Sequence, residues 1–235
     1  MKRSRLIYLI VIIIYVVGLV GLSLPICHNV FVALSSVNIM LAVVLVVFYH
    51  TTSHTLMQKA QEQQLQGVNP GDYITMQGIN FVFKSFLVGV AGFFLEVDGV
   101  KTGVIFGEYS YGETLGPKMM EVPLILGLNW FFMVYCSTQI AGLFKLPMVP
   151  TALLAGGIMT GYDLILEPNA IAMDYWHWHN GYIPLQNYIA WFIAGTLFSL
   201  FYIYRSTRVH NMMAIFLFSI QVIFFILLII IRQFV

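Results

Sequence analysis

Seven apolar runs divide this chain, each near the ~20 residues that cross a bilayer's hydrocarbon core. They are Leu6–Leu24, Val30–Tyr49, Phe81–Leu95, Val122–Gly142, Met148–Leu166, Leu185–Tyr204 and Met212–Ile231. The third is short unless it begins near Ile74. With 60% hydrophobic and 9% charged residues, against about 25% charged in soluble domains, there is too little polar surface to face water. The expectation is an all-α polytopic membrane bundle of about seven transmembrane helices, one integral membrane domain over residues 1–235. The first run is too long for a signal-peptide core and no small-residue cleavage site follows it, so it reads as a retained helix. A formal net charge of +1 argues against a nucleic-acid partner. Cys27 and Cys136 show neither metal-ligand spacing nor a redox pair and read as small buried hydrophobes.

Orientation follows from cations. With a cytoplasmic N-terminus, Lys2, Arg3, Arg5, Lys59, Lys84, Lys145, Arg205 and Arg208 lie inside, and only Lys101, Lys118 and Arg232 outside, as the positive-inside rule requires. The expected location is the cell (cytoplasmic) membrane, multi-pass. The longest inner loop contains Gln58-Lys59-Ala60-Gln61-Glu62-Gln63-Gln64-Leu65-Gln66, a short polar helix stopped by Gly67 and Asn69-Pro70-Gly71.

Acidic residues are one-sided. Glu62 and Asp72 fall inside, whereas Glu96, Asp98, Glu108, Glu113, Glu121, Asp163, Glu167 and Asp174 fall outside or in the outer half of the membrane. The positive-inside rule does not demand this, because carboxylates contribute little to orientation. Glu96 ends the third span, Glu121 starts the fourth and Asp163 lies within the fifth. Asp163 and Glu167, four apart, share a helix face, with Asp163 roughly 6 Å deeper. Intramembrane carboxyl groups are costly and mark function by default, although Glu121 is equally accounted for by the dipole at a helix N-terminus. Gly156, Gly157 and Gly161 suit close helix approach.

Two outer loops carry unusual chemistry. One contains Glu108-Tyr109-Ser110-Tyr111-Gly112; the other contains Asp174-Tyr175-Trp176-His177-Trp178-His179. An interfacial aromatic belt explains one or two rings per loop, not Trp-His-Trp-His beside acids. The histidine pair invites a metal, but only His28 could join it on this side, so no metal site is expected. The residues suggest an apolar pocket whose end is lined by acids and aromatics. A desolvated carboxyl group can keep its proton near neutrality and act as a general acid. Indole and phenol faces stabilise a cation. That is the equipment for protonating an isoprenoid double bond.

These loops resemble the carotenoid-biosynthesis membrane family that contains carotenoid 1,2-hydratases and bisanhydrobacterioruberin hydratases. The matching pieces are Glu96, Thr102-Gly103, Phe106-Gly107, Tyr109, Tyr111-Gly112, Gly116-Pro117, Val122-Pro123, Leu128-Asn129-Trp130, Asp163-Leu164, Pro168, Trp176-His177-Trp178, Pro184, Asn187 and Trp191. Glu167 stands where the family more often has aspartate, and Ile183-Pro184 where a Gly-Val-Pro-like turn is usual. The resemblance implies addition of water across the terminal double bond of an acyclic carotenoid end through a tertiary carbocation, with no redox cofactor. It implies Asp163 or Glu96 as proton donor and Glu167 or Glu121 as the group that positions or deprotonates water. Tyr109, Tyr111, Trp176 and Trp178 would shield the cation, Asn129 and Asn187 would orient polar partners, and Trp130 and Trp191 would complete the substrate-binding set. The partners expected are a lipid-soluble carotenoid, membrane lipid and other carotenoid enzymes.

Three other functions compete. A carotenoid end-group cyclase would use the same acids and aromatics but capture the cation internally. An ion- or proton-coupled transporter would favour paired repeats with broken helices, and no convincing repeat is visible. A purely structural membrane protein leaves the one-sided acids unexplained.

Overall fold

The computed structural model describes residues 2–206 and 209–234. Arg208 of the orientation argument lies outside the described residues, as do the side chains of Lys2 and Arg3. Among the described residues the chain forms nine helices: α1 Lys2–Ser23, α2 His28–Ala33, α3 Ser35–Thr51, α4 His54–Leu65, α5 Pro70–Thr102, α6 Ile125–Gly142, α7 Met148–Ala172, α8 Leu185–Ile203 and α9 Met212–Arg232. Among the same described residues, five stretches are long and apolar enough to cross a membrane: Arg5–Ser23, His28–Leu65, Pro70–Thr102, Met148–Ala172 and Met212–Arg232. The protein is an integral membrane helical bundle. The two remaining long helices, α6 and α8, place Asn129, Gln139 and Asn187 against interior cavities and bury Thr196 and Ser199.

Local chemistry sets the ends. The polar helix α4 forms where the glutamine-rich run stands, capped by Ser53, which accepts from Thr55 N–H, and followed by Gly67 at φ 83°. Asn69 accepts from Gly71 N–H at 2.9 Å, with Pro70 opening α5, a favoured start. The third span is therefore long, 33 residues, and Glu96 lies inside it rather than at its end. Thr102-Gly103 supplies the stop: Gly103 takes φ 64° and donates to Gly99 O, an αL cap. Likewise α7 runs through Glu167 and Pro168 to Ala172, so both residues are helical. Glu121 does not start a helix; it sits in a tight turn before α6.

Helix α6 is the hub. From Trp130 to Ser137 every residue is buried, as expected of a helix apolar all round, and it packs against α3, α5, α7, α8 and α9. Gly156 of α7 lies against Phe192 O and Thr196 of α8, whereas Gly157 and Gly161 have open space beside them. One glycine of the predicted trio thus mediates the close α7–α8 approach. At the end of the bundle formed by the α8 C-terminus, Lys84 is buried and donates to the carbonyls of Tyr202 and Tyr204 and to Ser206 Oγ. This satisfies carbonyls that α8 leaves unpaired.

Two short antiparallel ribbons close the other end. β1 Tyr109–Tyr111 pairs with β4 Trp176–Trp178 in the register Tyr109↔Trp178, Ser110↔His177, Tyr111↔Trp176. β2 Lys118–Met119 pairs with β3 Val122–Pro123. The turn between β2 and β3 places Met120 at φ 54° and Glu121 at φ 70°.

Candidate active site

Side chains on a strand alternate between faces, and directly opposed residues of an antiparallel pair share a face. The β1–β4 ribbon therefore turns Tyr109, Tyr111, Trp176 and Trp178 to one side and Ser110 and His177 to the other. The inward face meets three carboxyl groups. Tyr109 and Tyr111 both donate to Glu96 Oε2 at 2.7 Å. Trp176 and Trp178 both donate to Glu167 Oε2 at 3.0 Å. The adjacent indole of Trp130 donates to Glu96 Oε1 at 2.9 Å. From the start of α8, Asn187 Nδ2 donates to Asp163 Oδ2 at 2.8 Å and to Glu167 Oε1 at 3.2 Å. Glu96, Asp163 and Glu167 are all 5% exposed or less.

Five of the six carboxyl oxygens thus accept hydrogen bonds, and Asp163 Oδ1 is buried without a partner. Buried polar atoms are normally paired, so this orphan singles out one atom of the cage. Tyr109 and Tyr111 are pushed well above the ordinary phenol range, first by burial and then by Glu96. They remain O–H donors across any physiological pH.

Packing fixes the rings. Trp130 and Trp191 stack at 4.6 Å with 9° between planes, and Tyr109 lies 5.3 Å from Trp178. Gly92, one turn before Glu96 on α5, lets the Trp130 side chain lie against that helix; a Cβ at Gly92 would overlap it. The roof is tied to α3 by Tyr175, whose hydroxyl lies 2.5 Å from Ser35 Oγ; burial pushes this phenol up to about 12.

The cage encloses about 40 Å³ and is lined by Glu96, Asp163, Glu167, Asn129, Asn187 and the aromatic set. Beside it lies a cavity of about 480 Å³, walled mainly by hydrocarbon from α1, α3 and α9. Leu126, Asn129, Tyr162, Leu166 and Trp176 line both spaces. Ile13, Val17, Val37 and Leu41, exposed on α1 and α3, border the large cavity, which therefore opens sideways between those helices.

Of the expected catalytic residues, Glu96, Asp163 and Glu167 converge. Glu121 does not: it is exposed in its turn and absent from the cage, because the chain between β3 and α6 carries the helix start past it. Tyr109, Tyr111, Asn129, Trp130, Trp176, Trp178, Asn187 and Trp191 all touch the cage or its carboxylates. His177 points outward, 2.5 Å from Asp174; His179 lies toward Ser110 Oγ at 3.3 Å. Among the described residues no three His, Cys, Asp or Glu side chains are placed to hold a metal ion. Tyr162 and Gln221, joined at 2.9 Å, and Tyr15 and Asn38, joined at 3.3 Å, also line the large cavity. Sequence reasoning missed all four, although lone polar residues within apolar runs are a signal for them.

The family model for carotenoid biosynthesis proteins matches residues 73–235. The chain is 31% identical over 112 residues to a bisanhydrobacterioruberin hydratase of Haloarcula japonica, covering 44% of this chain and 38% of that protein. The chain thus spans well under half the length of this relative. No solved structure matches.

Proposed function

Because the chain belongs to the carotenoid biosynthesis protein family, we propose that it is a hydratase, adding water across the terminal double bond of an acyclic carotenoid end. The carrying observation is the junction between a hydrocarbon-walled cavity open to lipid and a cage of three carboxyl groups under four inward aromatic rings. A polyene end fits the first space, and proton transfer belongs to the second. The name of the Haloarcula relative favours water over an internal double bond as the group that captures the cation.

Asp163 is the acid in this reading, because Oδ1 is the cage oxygen with no donor upon it and so has room for a transferable proton. That proton adds to the less substituted alkene carbon, leaving a tertiary cation. The oxygen of a water molecule forms the new C–O bond, and the resulting oxonium returns one proton to the Asp163 carboxylate. Atoms and charge balance with no oxidant or reductant. Trp176, at the junction of the two spaces, presents its ring face to the cation, and the N–H and O–H groups of Trp176, Trp178, Tyr109 and Tyr111 fix Glu96 and Glu167 as acceptors. General acid catalysis of this kind contributes roughly 10²–10⁴-fold.

The test is expression of the chain in a host that accumulates an acyclic carotenoid, followed by mass analysis of extracted pigment. A gain of one water per reacting end is expected. Product of unchanged mass with a new ring would establish a cyclase instead; unaltered pigment would remove both readings.

A further inference from the structure

We infer that the Asn129 side chain holds the attacking water and thereby decides that the cation ends as an alcohol. This deepens the hydratase reading and rests on it. Five residues line both the hydrocarbon cavity and the carboxyl cage. Leu126 and Leu166 have no polar side-chain atoms. The Tyr162 hydroxyl is committed to Gln221 Oε1 at 2.9 Å, and the Trp176 indole N–H to Glu167 Oε2 at 3.0 Å. Asn129 alone brings uncommitted polar atoms to the seam: among the described residues its amide forms no hydrogen bond, although it is half-buried within α6.

Volume points the same way. About 40 Å³ in the cage is too small for a gem-dimethyl alkene end but exceeds the ~10–15 Å³ that a water needs. The alkene therefore stops at the seam and water occupies the cage side. A buried water needs two to four polar partners. Among the described residues, the Asn129 amide and the unpaired Asp163 Oδ1 supply two such partners. The amide carbonyl accepts one water hydrogen and leaves the oxygen lone pair for the cationic carbon. The second hydrogen leaves as the proton that restores Asp163. A cation formed without this water gives no alcohol: it loses a proton, returning alkene or shifting the double bond, or first closes on an internal double bond.

The experiment supplies the acyclic carotenoid in membranes made up in deuterium oxide and follows two readouts. One is water gained by the pigment; the other is deuterium appearing in alkene-containing pigment of unchanged hydration state. Asn129→Leu, which keeps the helix apolar and insertable, should lower hydration at least tenfold while deuterium wash-in persists or rises. Asn129→Ser, which keeps a polar group and adds room for a second water, should recover a measurable part of the hydration. Hydration by Asn129→Leu within twofold of wild type would overturn the inference. So would a parallel loss of hydration and wash-in in both variants, which is the mark of a structural role. Wild-type chain that adds no water would overturn the hydratase reading itself and this inference with it.

Discussion

Tyr111 faces Trp176 across the β1–β4 ribbon, yet the two donate to different carboxyl groups, Tyr111 to Glu96 at 2.7 Å and Trp176 to Glu167 at 3.0 Å. The ribbon is a bridge between α5 and α7: each strand clamps the acid of one helix. The third acid, Asp163, is tied to this pair by Asn187, whose amide donates to both Asp163 and Glu167. Such preorganisation is what a site needs to meet a short-lived cation.

Asp163→Asn retains side-chain size and removes the transferable proton. Hydration should fall by about 10²–10⁴-fold while the protein still inserts and accumulates, measured by pigment mass and by membrane immunoblot. Wild-type product levels from this variant would reject Asp163 as the donor.

Replacing both ribbon indoles, Trp176→Phe with Trp178→Phe, keeps ring faces but deletes both N–H donors to Glu167. Each bond to a charged acceptor contributes roughly 1.5–3 kcal/mol, so the detergent-solubilised protein should unfold at clearly lower temperature and lose most hydration. A thermal midpoint equal to wild type would refute the clamp.

The outward histidines should be dispensable for chemistry. His177→Ala and His179→Ala are expected to keep hydration within about twofold, since surface changes away from buried features usually cost under ~0.5 kcal/mol. Chelator treatment of purified protein should leave the rate unchanged. A tenfold loss in either case would place the imidazoles in the reaction.

Met120 and Glu121 both occupy φ > 0 without being glycine, a backbone that Asn-Gly adopts with little strain. Met120→Asn with Glu121→Gly should therefore raise stability by about 0.5–1 kcal/mol in thermal unfolding and leave hydration intact. Loss of activity would return Glu121 to the site.

Gly92→Ala places a methyl group where the Trp130 side chain lies. Overpacking of this kind costs about 1–3 kcal/mol and here also pulls an indole donor from Glu96. Reduced thermal stability together with reduced hydration is expected; an unchanged protein would show that Trp130 does not depend on this notch.

Much of the bundle was legible because lipid makes hydropathy a direct readout of helices: α1, α7, α8 and α9 lie close to the runs that announced them. The site was legible only in part. Hydropathy falls near Glu96 and Glu167, so both read as loop edges, whereas Gly103 and the residues after Pro168 mark where the helices stop. The ribbon was hidden because its strands are three residues long and lie far apart in sequence. Its trace was nonetheless present: Tyr-Ser-Tyr and Trp-His-Trp both alternate with period two, which makes the rings one face and the histidine the other. Glu121 lies apart from the helix start because proximity to an apolar run says nothing about the left-handed turn at Met120 and Glu121 or the strand Val122–Pro123 that follows it.

The sideways mouth between α1 and α3 would have a kinetic consequence for the proposed hydratase. A polyene is far longer than this chamber, so most of each pigment molecule would stay dissolved among acyl chains while one tip reacts. Such an enzyme would measure tips, not molecules. A pigment with two identical tips would have to withdraw, tumble in the bilayer and return, and the half-converted species would be shed into the membrane as a free intermediate between the two visits.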